Sequence, residues 1–412
     1  MIALFVAATF VLGAASALPA PETHEVLTLE RCLHIARAQS PLVHASRARH
    51  EAATARVNSA RAWPYPVVGY DSDLQPRLFH FSQSVESYLG VSQMIEFPGK
   101  RGVRADIAAR EADVVLADGD LVGLSLTFEV KRSFGGLLLA QEKLAYVRQN
   151  LELAREFLRK TEHMLDAGEV ARVEVLRARV EESKVANAER VAATGVRLAR
   201  ARLVFLLARP PGQPFDVEGR LGRAPAPVEL DALVRRALEA RPEMRQIELA
   251  RARERLVEKQ ARLDYLPDVE VGVARHRIQG LPTTWDVTFS FPVPLFFWQR
   301  PKGPIAEAQA NRRALDREAE NLRNAVRLEV EEARTYAVGA RSRIRLFEEE
   351  ILRPAEEVHD MLLFSYQEGG IGGIELIAAR RTLVEAQVDY ADALFEYDLA
   401  VAALERAVGE ER

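Results

Sequence analysis

Apolar residues along this chain follow two different periods, and the longer-period stretches dominate. From Arg101 to Leu165 they recur at steps of three and four: Val130, Phe134, Leu137, Leu138, Leu144, Val147, Leu151, Phe157, Leu158 and Leu165. No proline interrupts this stretch. The spacing predicts a single helix, spanning roughly 95 Å at 1.5 Å per residue. A tight tip at Asp166-Ala167-Gly168 leads to a second, shorter helix over Val173–Leu207, which stops before Arg209-Pro210-Pro211. A helix as long as the first needs neighbours along its whole side. The fold is therefore elongated, and the overhang of roughly 40 Å beyond the shorter arm must be covered.

The preceding residues supply the cover. Thr28 caps a helix carrying Leu29, Leu33 and Ala36, Ser40-Pro41 interrupts it, and a second helix runs to about Ala62 before Trp63-Pro64-Tyr65-Pro66. Laid end to end with the shorter arm, that helix nearly matches the long arm. Beyond Pro66 the period falls to two. Val67–Leu74 places Val68, Tyr70 and Leu74 on one face, and Tyr88–Met94 is a weaker strand, with a polar loop over Gln75–Ser87.

The same plan returns at an offset of 201. Leu29 matches Leu230, Pro41 matches Pro242, Pro66 matches Pro267, Gly168 matches Gly369, Glu174 matches Glu375, and Ala178-Arg179 matches Ala379-Arg380. The second copy has cleaner strands: Val269, Val271 and Val273 alternate with Glu270, Gly272 and Ala274, and Trp285–Val293 alternates likewise. The expected organisation is an export signal over 1–17, a first repeat over 18–208, a Pro/Gly-rich connector over 209–227, and a second repeat over 228–409. The signal reading rests on an uncharged apolar run ending in Ala15-Ser16-Ala17; a permanent anchor is the alternative.

Composition narrows the function. The chain has 412 residues and a net charge of −4, so no nucleic-acid footprint follows. The single cysteine, Cys32, permits no internal disulfide and suits a buried apolar role. The eight histidines show no i, i+4 pairing, and no nucleophile–base motif is present, so neither an enzyme, a cofactor nor a metal site is expected.

Alternating strands with aromatic ends suit an outer-membrane barrel, and Tyr70, Tyr88 and Trp285 suit its aromatic girdle. A small soluble sheet is the alternative. Four strands cannot close, and lipid does not tolerate an open edge. Several copies must share one cylinder, and three give twelve strands, wide enough for a water path. The expected fold is mainly α, with duplicated long-helix hairpins forming a trimeric α-barrel and four strands per chain in a shared 12-stranded β-barrel.

With its signal, twofold repeat, Gly-tipped hairpins and strand pairs, the chain resembles the TolC family of outer-membrane efflux ducts. Phe97-Pro98-Gly99-Lys100-Arg101 and Pro294-Leu295-Phe296 followed by Gly303-Pro304-Ile305 are similar to strand-to-helix passages in the heavy-metal branch. The resemblance implies a passive homotrimeric duct in the outer membrane of a Gram-negative bacterium, embedded in its lipid and extending far into the periplasm. It also implies a periplasmic adaptor and an inner-membrane pump of the proton-driven RND type, with metal cations as one possible cargo. It places Glu375 at a carboxylate lining the periplasmic constriction, where three copies would attract cations. The family's second carboxylate falls at Ala378, which is not acidic. Glu174 is expected in a tip salt bridge or against the adaptor, and Gly168, Gly369 and Gly370 shape the tips. An ordinary solvated helix charge is the competing reading for both glutamates, and a soluble periplasmic scaffold or adaptor is the competing reading for the whole chain.

Overall fold

The computed structural model describes residues 25–73, 85–210, 212, 215–222, 224, 229–293, 302–368 and 370–410. The expected export signal, the Pro294-Leu295-Phe296 passage and Gly369 lie outside these residues. The first half runs β1 (Glu25–Leu27), α1 (Leu29–Gln39), α2 (Pro41–Arg61), β2 (Val67–Asp73), β3 (Glu86–Ile95), α3 (Lys100–Asp166) and α4 (Arg172–Leu206). The second half runs β4 (Phe215–Val217), α5 (Leu230–Ala240), α6 (Pro242–Leu263), β5 (Val269–Ile278), β6 (Thr284–Ser290), α7 (Gly303–Leu346), a π-helical turn (Phe347–Leu352), α8 (Arg353–Gln367) and α9 (Gly373–Val408).

The long helix α3 has 67 residues, about 100 Å of rod. The hydroxyl of Thr28 caps α1 by accepting from the Arg31 N–H at 3.3 Å, and Pro41 and Pro242 begin the helices that follow. Cover along α3 comes from two helices in succession. His50 of α2 bonds the Ala112 carbonyl at 3.2 Å, whereas Arg148 and Glu189 join α3 to α4 at 3.0 Å. On its other side α3 packs against α6 and α9, and α7 in turn packs on α6 and α9. The rods thus run in the order α2 with α4, α3, α6 with α9, then α7 with α8.

Two features depart from the sequence expectation. Within the expected 209–227 connector, Phe215–Val217 is fastened down: this strand, β4, pairs in parallel with β1. Asp398 of α9 also accepts the Gly222 and Ala224 N–H groups at 2.8 and 3.3 Å. Leu27, Cys32, Val130, Leu137, Leu203, Leu207 and Phe215 meet there in the largest core cluster. Burial pushes the Cys32 thiol up to about 11, so it stays protonated and inert.

The second departure is the π-helical turn. Pro354 has no N–H to give to a carbonyl one turn back, and its ring crowds that turn. The helix accommodates it by widening over Phe347–Leu352. The matching position in α3 is Leu153, and α3 runs through unbroken.

Candidate channel wall and periplasmic tip

One four-stranded sheet is built from β2, β3, β5 and β6, paired antiparallel in that order. Directly paired residues share a face, so the register sorts every side chain. Val68, Val91, Val273 and Val287 form one row across all four strands, flanked by a Tyr70–Leu89–Arg275–Trp285 row and a Gln93–Val271–Phe289 row. This face is apolar and bare, with Trp285 70% and Phe289 69% exposed. The opposite face carries Gly69, Gly90, Ala274 and Asp286 in one row and Asp71, Tyr88, His276 and Thr284 in the next.

Tyr88 therefore parts from the other two residues expected in the aromatic girdle. It lies one residue out of phase with Tyr70 and Trp285, and falls on the polar face. There its ring stacks on His276 at 4.1 Å, and its hydroxyl donates to Glu86 at 2.7 Å. The aromatic residues exposed near the helical end of the sheet are instead Trp63, Tyr65, Phe289 and Phe291. Trp63 and Tyr65 sit in the Trp-Pro-Tyr-Pro segment that follows the end of α2. Beyond β6, Pro292 has no N–H for the ladder and the strand ends at Ser290.

Sheet and rods are locked together by Asp268, just before β5. Its Oδ1 accepts the Phe97 N–H at 2.7 Å and the Lys100 ammonium at 2.9 Å. Burial works to raise the Asp268 pKa. The Phe97 and Lys100 hydrogen bonds and the Lys100 and Arg104 charges outweigh it, and hold the carboxyl below the usual range. Nearby, Arg104 donates to Glu96 at 3.1 Å.

At the far end of the rods, the first hairpin closes with Gly168 at φ 80°. The Glu169 N–H reaches the Met164 carbonyl and the Gly168 N–H reaches the Leu165 carbonyl, both at 2.9 Å, the paired bonds of a Schellman end. In the second hairpin the Gly370 N–H bonds the Ser365 carbonyl at 2.8 Å. Gly373 opens α9 against the first hairpin, and a Cβ there would lie 2.5 Å from the Phe157 ring. Phe157 also meets Tyr366, with ring centroids 5.7 Å apart. Above this contact a groove of about 980 Å³ separates the hairpins, lined in part by Phe157, Met164, Ala178, Tyr366, Leu376 and Arg380. Burial lowers the Arg380 pKa.

Glu174 and Glu375 occupy equivalent places, each in the first turn of its helix, where a carboxylate is favoured by the helix dipole. Glu174 pairs with Arg177 at 2.9 Å. Glu375 is exposed and has no ion pair among the described residues, because Ala378 stands where the first copy has Arg177. No group of His, Cys, Asp or Glu among the described residues is arranged to hold a metal ion. No described helix is long and apolar enough to cross a membrane.

Residues 32–209 and again 233–410 match the family described as "Outer membrane efflux protein". The chain belongs to that family. It is 24% identical over 396 residues to the cobalt-zinc-cadmium resistance protein CzcC of Cupriavidus metallidurans, covering 93% of this chain and 90% of that protein. The outer-membrane channel OprN superposes with a TM-score of 0.75 at 20% identity, over 92% of this chain and 89% of that one. CusC superposes with a TM-score of 0.77 at 15% identity, over 96% of each. The protein is an outer-membrane efflux channel component with a long periplasmic portion, as the TolC-family resemblance implied. The family is one of channels rather than enzymes. The soluble-scaffold alternative falls away with this assignment.

Proposed function

We propose that three copies close head to tail into one duct, with the apolar sheet face toward lipid and the acidic face toward a water-filled lumen. The observation that carries this is a coincidence of unfinished edges. The sheet ends at β2 on one side and β6 on the other. The rods that continue those same edges expose apolar stripes: Leu176, Val180, Val191, Leu198 and Phe205 on α4, and Leu328, Tyr336, Val358, Met361 and Phe364 on α7 and α8. Phe205 is 80% and Tyr336 73% exposed, unusual for large apolar groups with no partner. One head-to-tail contact would cover both stripes and pair both strand edges. Three copies rather than two leave room for water inside.

In this reading the duct has no tight substrate site. Cargo is handed over by an inner-membrane pump of the RND type through a periplasmic adaptor gripping the hairpin tips shaped by Gly168 and Gly370. The likeness to a cobalt-zinc-cadmium resistance protein favours metal cations as cargo. A ring of three Glu375 carboxylates, each without a basic neighbour one turn along, would favour cations at the constriction. Glu174, neutralised by Arg177, is a tip-shaping residue. Purified protein in planar bilayers should give discrete, cation-preferring conductance from a cross-linkable trimer. Silence from a folded trimer would overturn the duct.

A further inference from the structure

The sheet sorts its charges by face as sharply as its apolar groups. Every carboxylate on the four strands of this sheet (Asp71, Asp73, Glu86, Glu270 and Asp286) falls on the polar face, together with His276. The strands' two arginines, Arg275 and Arg277, fall on the other face, among Leu89, Trp285 and the valine row. Both are exposed, and neither has an ion pair among the described residues. Their face offers no carboxylate that could supply one.

Arginines on a lipid-facing surface are costly at mid-bilayer and nearly free only at its boundary. Their position agrees with the boundary. β5 leaves α6 at Val269, so Arg275 and Arg277 lie in its last turn-proximal residues, farthest from the periplasmic rods. Trp285, directly across from Arg275, marks the same level as interfacial. Two residues apart on one strand, the guanidinium stems stand about 7 Å from each other on one face. β5 is an inner strand, between β3 and β6, so the pair does not sit on an edge that meets another copy.

We infer that Arg275 and Arg277 form a binding site for the phosphate groups of a phosphorylated glycolipid in the outer leaflet. The planar guanidinium fork matches phosphate oxygens two at a time, and the face is otherwise apolar enough to seat acyl chains. The inference rests on the shared barrel with its apolar face outward, so both are measured on one sample.

The full-length protein is placed in phosphatidylcholine nanodiscs with either bisphosphorylated lipid A or its dephosphorylated form, and retained lipid is counted by native mass spectrometry. The phosphorylated form should be held at least tenfold more strongly. R275Q/R277Q should reduce its retention to that of the dephosphorylated form, while Asp286→Asn, on the opposite face, should leave it unchanged. Equal retention of the two lipids by the unaltered protein overturns the site. So does full retention by an assembled double variant. Should the double variant fail to assemble, the comparison of the two lipids on the unaltered protein decides alone. A heat-modifiable, conducting trimer without lipid preference refutes only the phosphate site, whereas absence of such a trimer refutes the shared barrel.

Discussion

The two helical hairpins are built on one plan and finished differently. In the first, α3 runs unbroken through Leu153, Arg179 is paired with Glu162 across the hairpin at 2.9 Å, and Glu174 is paired with Arg177. In the second, Pro354 forces a π-helical turn, Leu363 stands where Glu162 would be, and Ala378 stands where Arg177 would be. These two ion pairs are absent from the second hairpin, whose π turn is held by Phe347 in the α7–α9 core, by Arg343 paired with Glu396, and by Tyr390, whose hydroxyl donates to Glu348 at 2.7 Å. Burial and that bond push the Tyr390 phenol up to about 12, so it remains a donor throughout the physiological range. The asymmetry predicts a fixed first hairpin and an adjustable second one, with Glu375 on the part that moves.

Making the first hairpin like the second should have the largest effect. Leu153→Pro removes a helix hydrogen bond where no wide turn has been provided, and should cost about 3 kcal/mol. It should appear as a clearly lowered melting point of the protein; a melting point within a degree of the original would contradict the pinned-hairpin reading.

Next in size is the contact between the tips. Gly373→Ala places a methyl against the Phe157 ring and should cost about 1 kcal/mol, the low end for overpacking because the ring can swing aside. Single-channel recordings should show a longer open time. Unchanged gating would mean that the Phe157–Tyr366 contact does not hold the tips.

Neutralising the equivalent glutamates should separate their roles. Glu375→Gln should lower cation over anion preference severalfold in reversal-potential measurements. Glu174→Gln should leave selectivity alone and cost only a few tenths of a kcal/mol, as exposed helix pairs do. Equal effects on selectivity would erase the distinction between the copies.

The smallest expected effect is an acid one, at the lock joining the second copy's sheet to the first copy's long helix. The Asp268 carboxyl has its pKa depressed in the folded state. Its contribution is fully present above the ordinary Asp pKa of about 3.9, and is lost as pH falls through the folded value. Asp268→Asn should flatten that acid limb of the melting-temperature profile. An unchanged limb would place the acid sensitivity elsewhere.

Most of the helical plan was legible because period and punctuation agree: α3 ends one residue from where Asp166-Ala167-Gly168 predicts, and Pro41 and Pro242 mark the same break in both copies. Less legible were features that depend on distant partners. Three residues of β1 carry no strand signal until Phe215–Val217 lies beside them. Tyr88 was assigned to the aromatic girdle because alternation within one strand does not say which face is which; only its register against His276 does. The π turn was not legible, because whether Pro354 kinks, breaks or widens the helix depends on the neighbours that hold it. At the tip, the equivalence of Glu174 and Glu375 was visible from the repeat, while their difference lay in the residue three positions on.

The pairing of Glu25–Leu27 with Phe215–Val217 also sets an order of assembly. Phe215 and Leu27 are both fully buried in one cluster, so the amino-terminal segment has nowhere to settle until the chain has emerged past its midpoint. A polypeptide exported amino terminus first must hold those opening residues in reserve while half its length follows, and such sequence-distant closure is slow. Any helper that shields nascent envelope proteins would be needed over that interval.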